Sequence, residues 1–178
     1  MKGTVFCEFL NMTEENFGYK MVDQIINQSN LPNDGAYTSV GTYDFDELVS
    51  LLTHLSQNTN IPPNKLLYDF GDYLFKIFLK KYPEMFQYAH DGFTFLERVP
   101  QKIHIEVNKL YPDAELPHIE TSIEDNVLTM KYASSRKLGD LAKGLINGCM
   151  NHFDEKYSIH EEFLKQDGSE LVFTITRL

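Results

Sequence analysis

Tryptophan is absent, cysteine occurs only twice, and positive charge is scarce: 16 lysines and arginines face 26 aspartates and glutamates, for a formal net charge of -10. Each shortage excludes a class of protein. An acidic chain without a local basic patch repels a phosphate backbone, so nucleic acid is not an expected partner. Cys7 and Cys149 are too few for a disulfide scaffold and suit a reducing compartment. No apolar run approaches the roughly 20 residues that span a bilayer. Glu8 also interrupts the apolar stretch after Met1-Lys2-Gly3, where a secretory signal would need its core. The expectation is a cytoplasmic protein with no membrane partner. Conventional catalytic motifs are missing as well. There is no phosphate-cradling glycine loop, nucleophile elbow, Cys-x-x-Cys pair or His-Glu-x-x-His zinc helix, so an enzyme is not expected.

What remains is globular in composition, with 42% hydrophobic and 24% charged residues over 178 positions. That length fits one domain, and the balance excludes a disordered or fibrous chain. Aromatic side chains are plentiful, with 13 phenylalanines and 10 tyrosines. Such rings either fill a core or wall a cavity for something large and flat.

Hydrophobic spacing predicts helices through the first two thirds. Val5, Phe6, Phe9 and Leu10 share one helical face, and Met21, Val22, Ile25 and Ile26 another, before Pro32. A third helix starts at Asp44, with Glu47 placed to close a capping box. A fourth has Pro63 in its first turn and ends at Tyr82-Pro83; Asp91-Gly92 then marks a turn. A fifth covers roughly 93–111, with Pro100 implying a kink or a late start. After Pro117 the period changes to two. Segments 119–123 and 127–132 form one predicted hairpin, and 157–165 and 170–177 a second, with a helix over 137–153 between them. The expected class is α+β: a helical part over about 1–112 packed on a mixed part, 113–178, with a four-stranded antiparallel sheet and a helix.

Three features carry possible chemistry. His104 falls beside Ile103 and Val107 on or near an apolar stripe, as a core histidine or as a ligand. One histidine does not hold a bare metal ion, but it suffices where a macrocycle supplies the other donors. Tyr132, Ser134 and Arg136 alternate at a strand end, so period two points two hydroxyls and a guanidinium to one side, a group suited to carboxylates. The ordinary alternative is an exposed strand end leading into a helix. Gly144 and Gly148 lie four apart on the following helix, where a backbone or a flat ligand can approach closely.

In combination these residues resemble the haem–nitric oxide/oxygen binding (H-NOX) family, which includes the sensor domain of soluble guanylate cyclases. The resemblance covers essentially the whole chain. It rests on His104 with Lys109-Leu110-Tyr111-Pro112, on Pro117, on Tyr-x-Ser-x-Arg at Tyr132, Ser134 and Arg136, and on Phe70-Gly71-Asp72-Tyr73. It implies a single sensor domain over 1–178 with haem b between the helical and mixed parts. His104 would be the iron ligand, Tyr132, Ser134 and Arg136 the propionate site, and Pro117 the residue that presses on the porphyrin. Pro117 is also explained as a turn proline. Val5, Leu74, Phe78, Leu141 and Leu145 are expected around the gas-binding side, although their spacing equally fits a core.

One departure matters. Oxygen-binding relatives carry a tyrosine five residues after the motif arginine, and here that residue is Leu141. The resemblance therefore implies a nitric oxide sensor, with carbon monoxide as a further ligand, that signals when the iron–His104 bond weakens or breaks. No zinc is expected, since Cys149 is the only cysteine in its half. The sequence stops without an output domain, so a separate histidine kinase or cyclic-di-GMP enzyme is the expected partner. An oxygen or redox sensor using Tyr73, and a haem-free interaction module, are the alternatives.

Overall fold

The computed structural model describes residues 1–178, with every side chain except that of Leu110. Leu110 belongs to the run that carries the resemblance, and its side chain lies outside the described residues. Two compact units divide the chain, Met1–Phe70 and Gly71–Leu178. The fold is α+β, as the spacing predicts.

In the first unit, helix α1 (Gly3–Phe17) is followed by α2 (Tyr19–Gln28) and α3 (Phe45–Thr59). Gly18 separates α1 from α2 at φ 82°, a backbone region that favours glycine, and its N–H closes α1 on the Glu14 carbonyl at 2.8 Å. The expected capping box is present. Asp44 Oδ1 accepts from Asp46 N at 3.1 Å, and Glu47 Oε1 from Asp44 N at 3.3 Å. Phe6, Phe9, Ile25, Leu51, Leu55 and Phe70 are fully buried.

Helix α4 (Pro63–Lys81) carries the chain into the second unit. Asp91, expected in a plain turn, caps the next helix by accepting from Thr94 N at 2.7 Å. The predicted kinked helix is three pieces. Helix α5 (Gly92–Arg98) and helix α6 (His104–Leu110) are joined by a π-helical turn, Val99–Ile103. Pro100 has no N–H to donate, and the wider turn absorbs the mismatch: the His104 N–H reaches back five residues to the Val99 carbonyl.

The four strands are β1 (His118–Glu124), β2 (Val127–Ala133), β3 (Tyr157–Phe163) and β4 (Glu170–Arg177), in the order β1-β2-β4-β3, all antiparallel. Helix α7 (Gly139–His152) links β2 to β3. Alternate residues of the two central strands, Leu128, Met130 and Tyr132 with Leu171, Phe173 and Ile175, are buried. They form one core with Ile146, Cys149 and Met150 of α7 and Phe93, Phe95 and Leu96 of α5. Much of the aromatic wealth goes here. Phe86 and Phe95 stack at 4.5 Å, with Phe75 edge-on to both at 5.4 and 5.7 Å. No helix among the described residues is long and apolar enough to cross a membrane.

The small residues of α7 serve helix packing. A Cβ on Gly148 would lie 2.6 Å from the Phe75 Cβ, and one on Gly71 of α4 would lie 2.2 Å from the Leu141 carbonyl oxygen. Because the Phe75 Cβ is fixed to its backbone, it cannot rotate aside. Gly148→Ala is therefore expected to cost about 1–2 kcal/mol, overpacking outweighing the gain in helix propensity. The urea midpoint should fall with an unchanged slope; a midpoint at or above wild type would show that α4 and α7 separate freely.

Candidate functional site

His104 opens α6, directly after Ile103, which packs against the same core cluster as Tyr132. The imidazole is half-buried, and burial pulls its pKa below the usual histidine value. Among the described residues no hydrogen bond or ion pair engages the ring. The neutral form, the one with a lone pair to donate, is thus favoured.

Strand register assembles the second group. His118, the residue after Pro117, pairs with Ala133 at that end of the sheet. Tyr132 is buried on the inner face, and Ser134 and Arg136 lie beyond the last strand residue. Strand alternation does not set the geometry of the motif as the spacing suggests: β2 ends at Ala133, and a tight turn, not pleating, gathers the three residues. Ser134 Oγ accepts from Arg136 N at 3.2 Å, and the Ser134 carbonyl accepts from Lys137 N at 3.2 Å. Lys137, the last residue of the turn, adopts φ 55°. The Tyr132 hydroxyl bonds to the Ser134 side chain and the Leu138 backbone; burial outweighs these bonds and raises its pKa, so the phenol keeps its proton.

The partner of Arg136 carries no signal in the amino-acid pattern. Its Nη1 donates to the Glu115 carbonyl at 2.8 Å, and its Nη2 to the Glu115 carboxylate at 2.7 Å. An acidic residue in a loop before a proline reads as ordinary solvated surface, and only the folded register brings it to Arg136.

Of the apolar candidates, Leu74 is buried, and Phe78, Leu141 and Leu145 are half-buried. The Gly71 contact sets α4 against residues 141–145 of α7. Leu74 and Phe78, three and seven residues beyond Gly71, share its helical face beside that crossing. Val5 is half-buried on α1 and belongs to the other compact unit. Cys149 is fully buried, and burial, then Glu155 and Asp91, pushes its thiol far up. Cys7 is half-buried, with Sγ 3.6 Å from the Tyr37 carbonyl. A surface hollow of about 390 Å³ lies at the opposite end of the sheet, lined by Asn151, Asp154, Glu155, Lys156, Tyr157 and Leu178. It contains none of the site residues.

Against this geometry, a family model described as haem-NO-binding matches residues 2–161. The chain belongs to the haem-NO-binding family. Solved H-NOX structures agree over its full length. The unliganded Fe(II) H-NOX protein from K. algicida is 41% identical, with 100% of this chain and 97% of that chain covered, at a TM-score of 0.95. The H-NOX protein from S. oneidensis in the Fe(II)NO state is 27% identical, with 100% and 99% covered, at 0.93. The IWP-051-bound H-NOX from Shewanella woodyi in the Fe(II)CO state is 36% identical, with 100% and 95% covered, at 0.86. No curated protein sequence matches the chain.

The donor set present fits the family's haem. Among the described residues there is no cluster of three or more His, Cys, Asp or Glu for a bare metal ion. A single accessible, neutral histidine is the donor that a haem iron needs from protein. The hydroxyls of Tyr132 and Ser134 with the guanidinium of Arg136 suit anionic substituents.

The far end of the helix pair that carries His104 is anchored by charge. Arg177 Nη2 contacts Asp91 Oδ1 at 2.8 Å, and its Nε contacts Glu155 Oε2 at 2.9 Å. Glu155 Oε1 also accepts from Gly92 N at 2.9 Å, and the guanidinium lies 4.0 Å over the Phe93 ring. Burial alone would raise the Asp91 carboxyl, but bonds from Thr94 and the Arg177 charge outweigh it and hold the pKa below its ordinary 3.8. A depressed carboxylate stabilises the fold fully above its unfolded value, and the contribution disappears as pH falls through the folded one. At pH 7 Asp91→Asn should therefore unfold at lower urea than wild type, and the gap should narrow steadily below pH 3.8. A gap independent of pH would detach Asp91 from this role.

Proposed function

We propose that this chain is a nitric oxide sensor that holds haem b as a single functional domain over residues 1–178 and passes its signal to a partner protein. The observation that carries the reading is the His104 imidazole, half-buried, kept neutral by its surroundings, and without a hydrogen-bond partner among the described residues. Its role is to donate one ring nitrogen to iron. Haem, when bound, supplies a ferrous centre with one face open to a diatomic gas. Tyr132 and Ser134 offer hydroxyls, and Arg136 a cation, to the propionates. Pro117 immediately precedes the first β1–β2 pair, His118 with Ala133, and has the rigid ring to press on a flat macrocycle.

Leu74, Phe78, Leu141 and Leu145 are assigned to the apolar surroundings of the gas, and Val5, also apolar, is assigned to the same role from the sequence. None of these side chains donates a hydrogen bond. A polarised oxygen ligand needs such a donor, whereas nitric oxide and carbon monoxide bind without one, and this supports selectivity against oxygen. His104 would hold the iron, and loss of that hold would free the short helix α6 on its π-helical joint. A histidine kinase or a cyclic-di-GMP enzyme is the partner class we favour, on family resemblance, and a cytoplasmic location goes with it.

His104→Gly should purify without a Soret band and recover one when millimolar imidazole is added. Full haem retention without imidazole would contradict ligation by His104. Leu141→Tyr restores a hydroxyl at the expected position, and its ferrous form should hold oxygen in air for minutes or longer. If it ignores oxygen as the parent does, Leu141 is not part of the gas pocket.

A further inference from the structure

The arginine that is to receive a propionate is already paired within the protein. Its side chain is only 16% exposed, whereas that of Glu115 is 76% exposed. Arg136 is thus fixed, and Glu115 is the member of the pair that can swing away. The two contacts also differ in kind. The Glu115 carbonyl is part of the backbone two residues before Pro117, so the Nη1 bond at 2.8 Å locates the loop that delivers Pro117. The carboxylate, at 2.7 Å from Nη2, is an anion on the same fork that the propionate requires.

We propose that the Glu115 carboxylate is a built-in competitor for the haem propionate at Arg136: it pairs with the half-buried guanidinium when haem is away and yields its place when haem is held. The proposal rests on the haem reading above. Its physical basis is that a guanidinium partly withdrawn from water is stabilised by a partner anion. An exposed glutamate provides one that costs little to displace, because exposed ion pairs are worth little. The backbone contact through Nη1 is unaffected by the exchange, so the Pro117 loop keeps its position in both states. Glu115 therefore tunes how tightly haem is kept without altering where it sits.

The test is haem transfer from the purified holoprotein to excess apomyoglobin, followed by the Soret shift. Glu115→Gln and Glu115→Ala should each lose haem about two- to five-fold more slowly than wild type, since the competing anion is gone. In an Arg136→Lys background, where the fork itself is lost, Glu115→Gln should change the rate little. Equal rates for wild type and both variants would overturn the proposal. Faster loss in the variants would do so too, and would make Glu115 a support for Arg136. A gain undiminished in the Arg136→Lys background would reduce Glu115 to general repulsion and likewise overturn it. A wild-type protein that takes up no haem at all would instead overturn the haem reading, and this inference with it.

Discussion

The site depends on the antiparallel register between β1 and β2, in which His118 faces Ala133 and every later pair follows. That pairing sets Pro117 one residue before the first pair, turns Tyr132 into the core, and leaves the chain at Ala133 ready for the tight turn that gathers Ser134 and Arg136. A one-residue slip would move Tyr132 to the solvent face and carry Pro117 away from the motif. Burial holds β2 against β4, since Leu128 and Met130 lie on the same face as Tyr132 and interlock with Leu171, Phe173 and Ile175, and on β1 Ile119 packs against the same cluster. Each fully buried side chain of this kind contributes about 1.5–3 kcal/mol, so a slip would forfeit several such terms together.

The acidic balance of the chain acquires a more specific meaning in the fold. Arg136 and Arg177 each lie against carboxylates, Glu115 in one case and Asp91 with Glu155 in the other. The Arg177 group ties the last strand to the start of α5, while α6, at the other end of the π-helical turn, carries His104. One end of the segment is therefore fastened and the other is borne on an irregular joint. Such an arrangement suits a ligand whose bond is meant to be made and broken.

Much of this was legible in the sequence, for identifiable reasons. Regular periodicity located the helices and strands, and the Asp44–Glu47 box and the two hairpins were readable because capping and turn chemistry are local. The Tyr132, Ser134 and Arg136 motif was legible as a pattern, but its geometry was not: alternation suggested a strand, whereas the N–H groups of Arg136 and Lys137 close back on Ser134 in a turn. Pro100 signalled a disturbance without revealing that a π-helical turn would absorb it, since that depends on how α5 is anchored. The phenylalanines gave no hint of their distribution. Phe75, Phe86 and Phe95 belong to the core, and ring content alone does not separate a core from a cavity wall. Glu115 was invisible because its role comes from a partner 21 residues away across the strand register.

In the proposed function, His104 would present haem iron in surroundings that select nitric oxide over oxygen. The most direct measurement is the visible spectrum of the ferrous holoprotein, first under air and then under stoichiometric nitric oxide. No stable oxygen complex is expected in air, and the nitric oxide complex should form promptly and completely. A stable oxygen complex in air would contradict this selectivity.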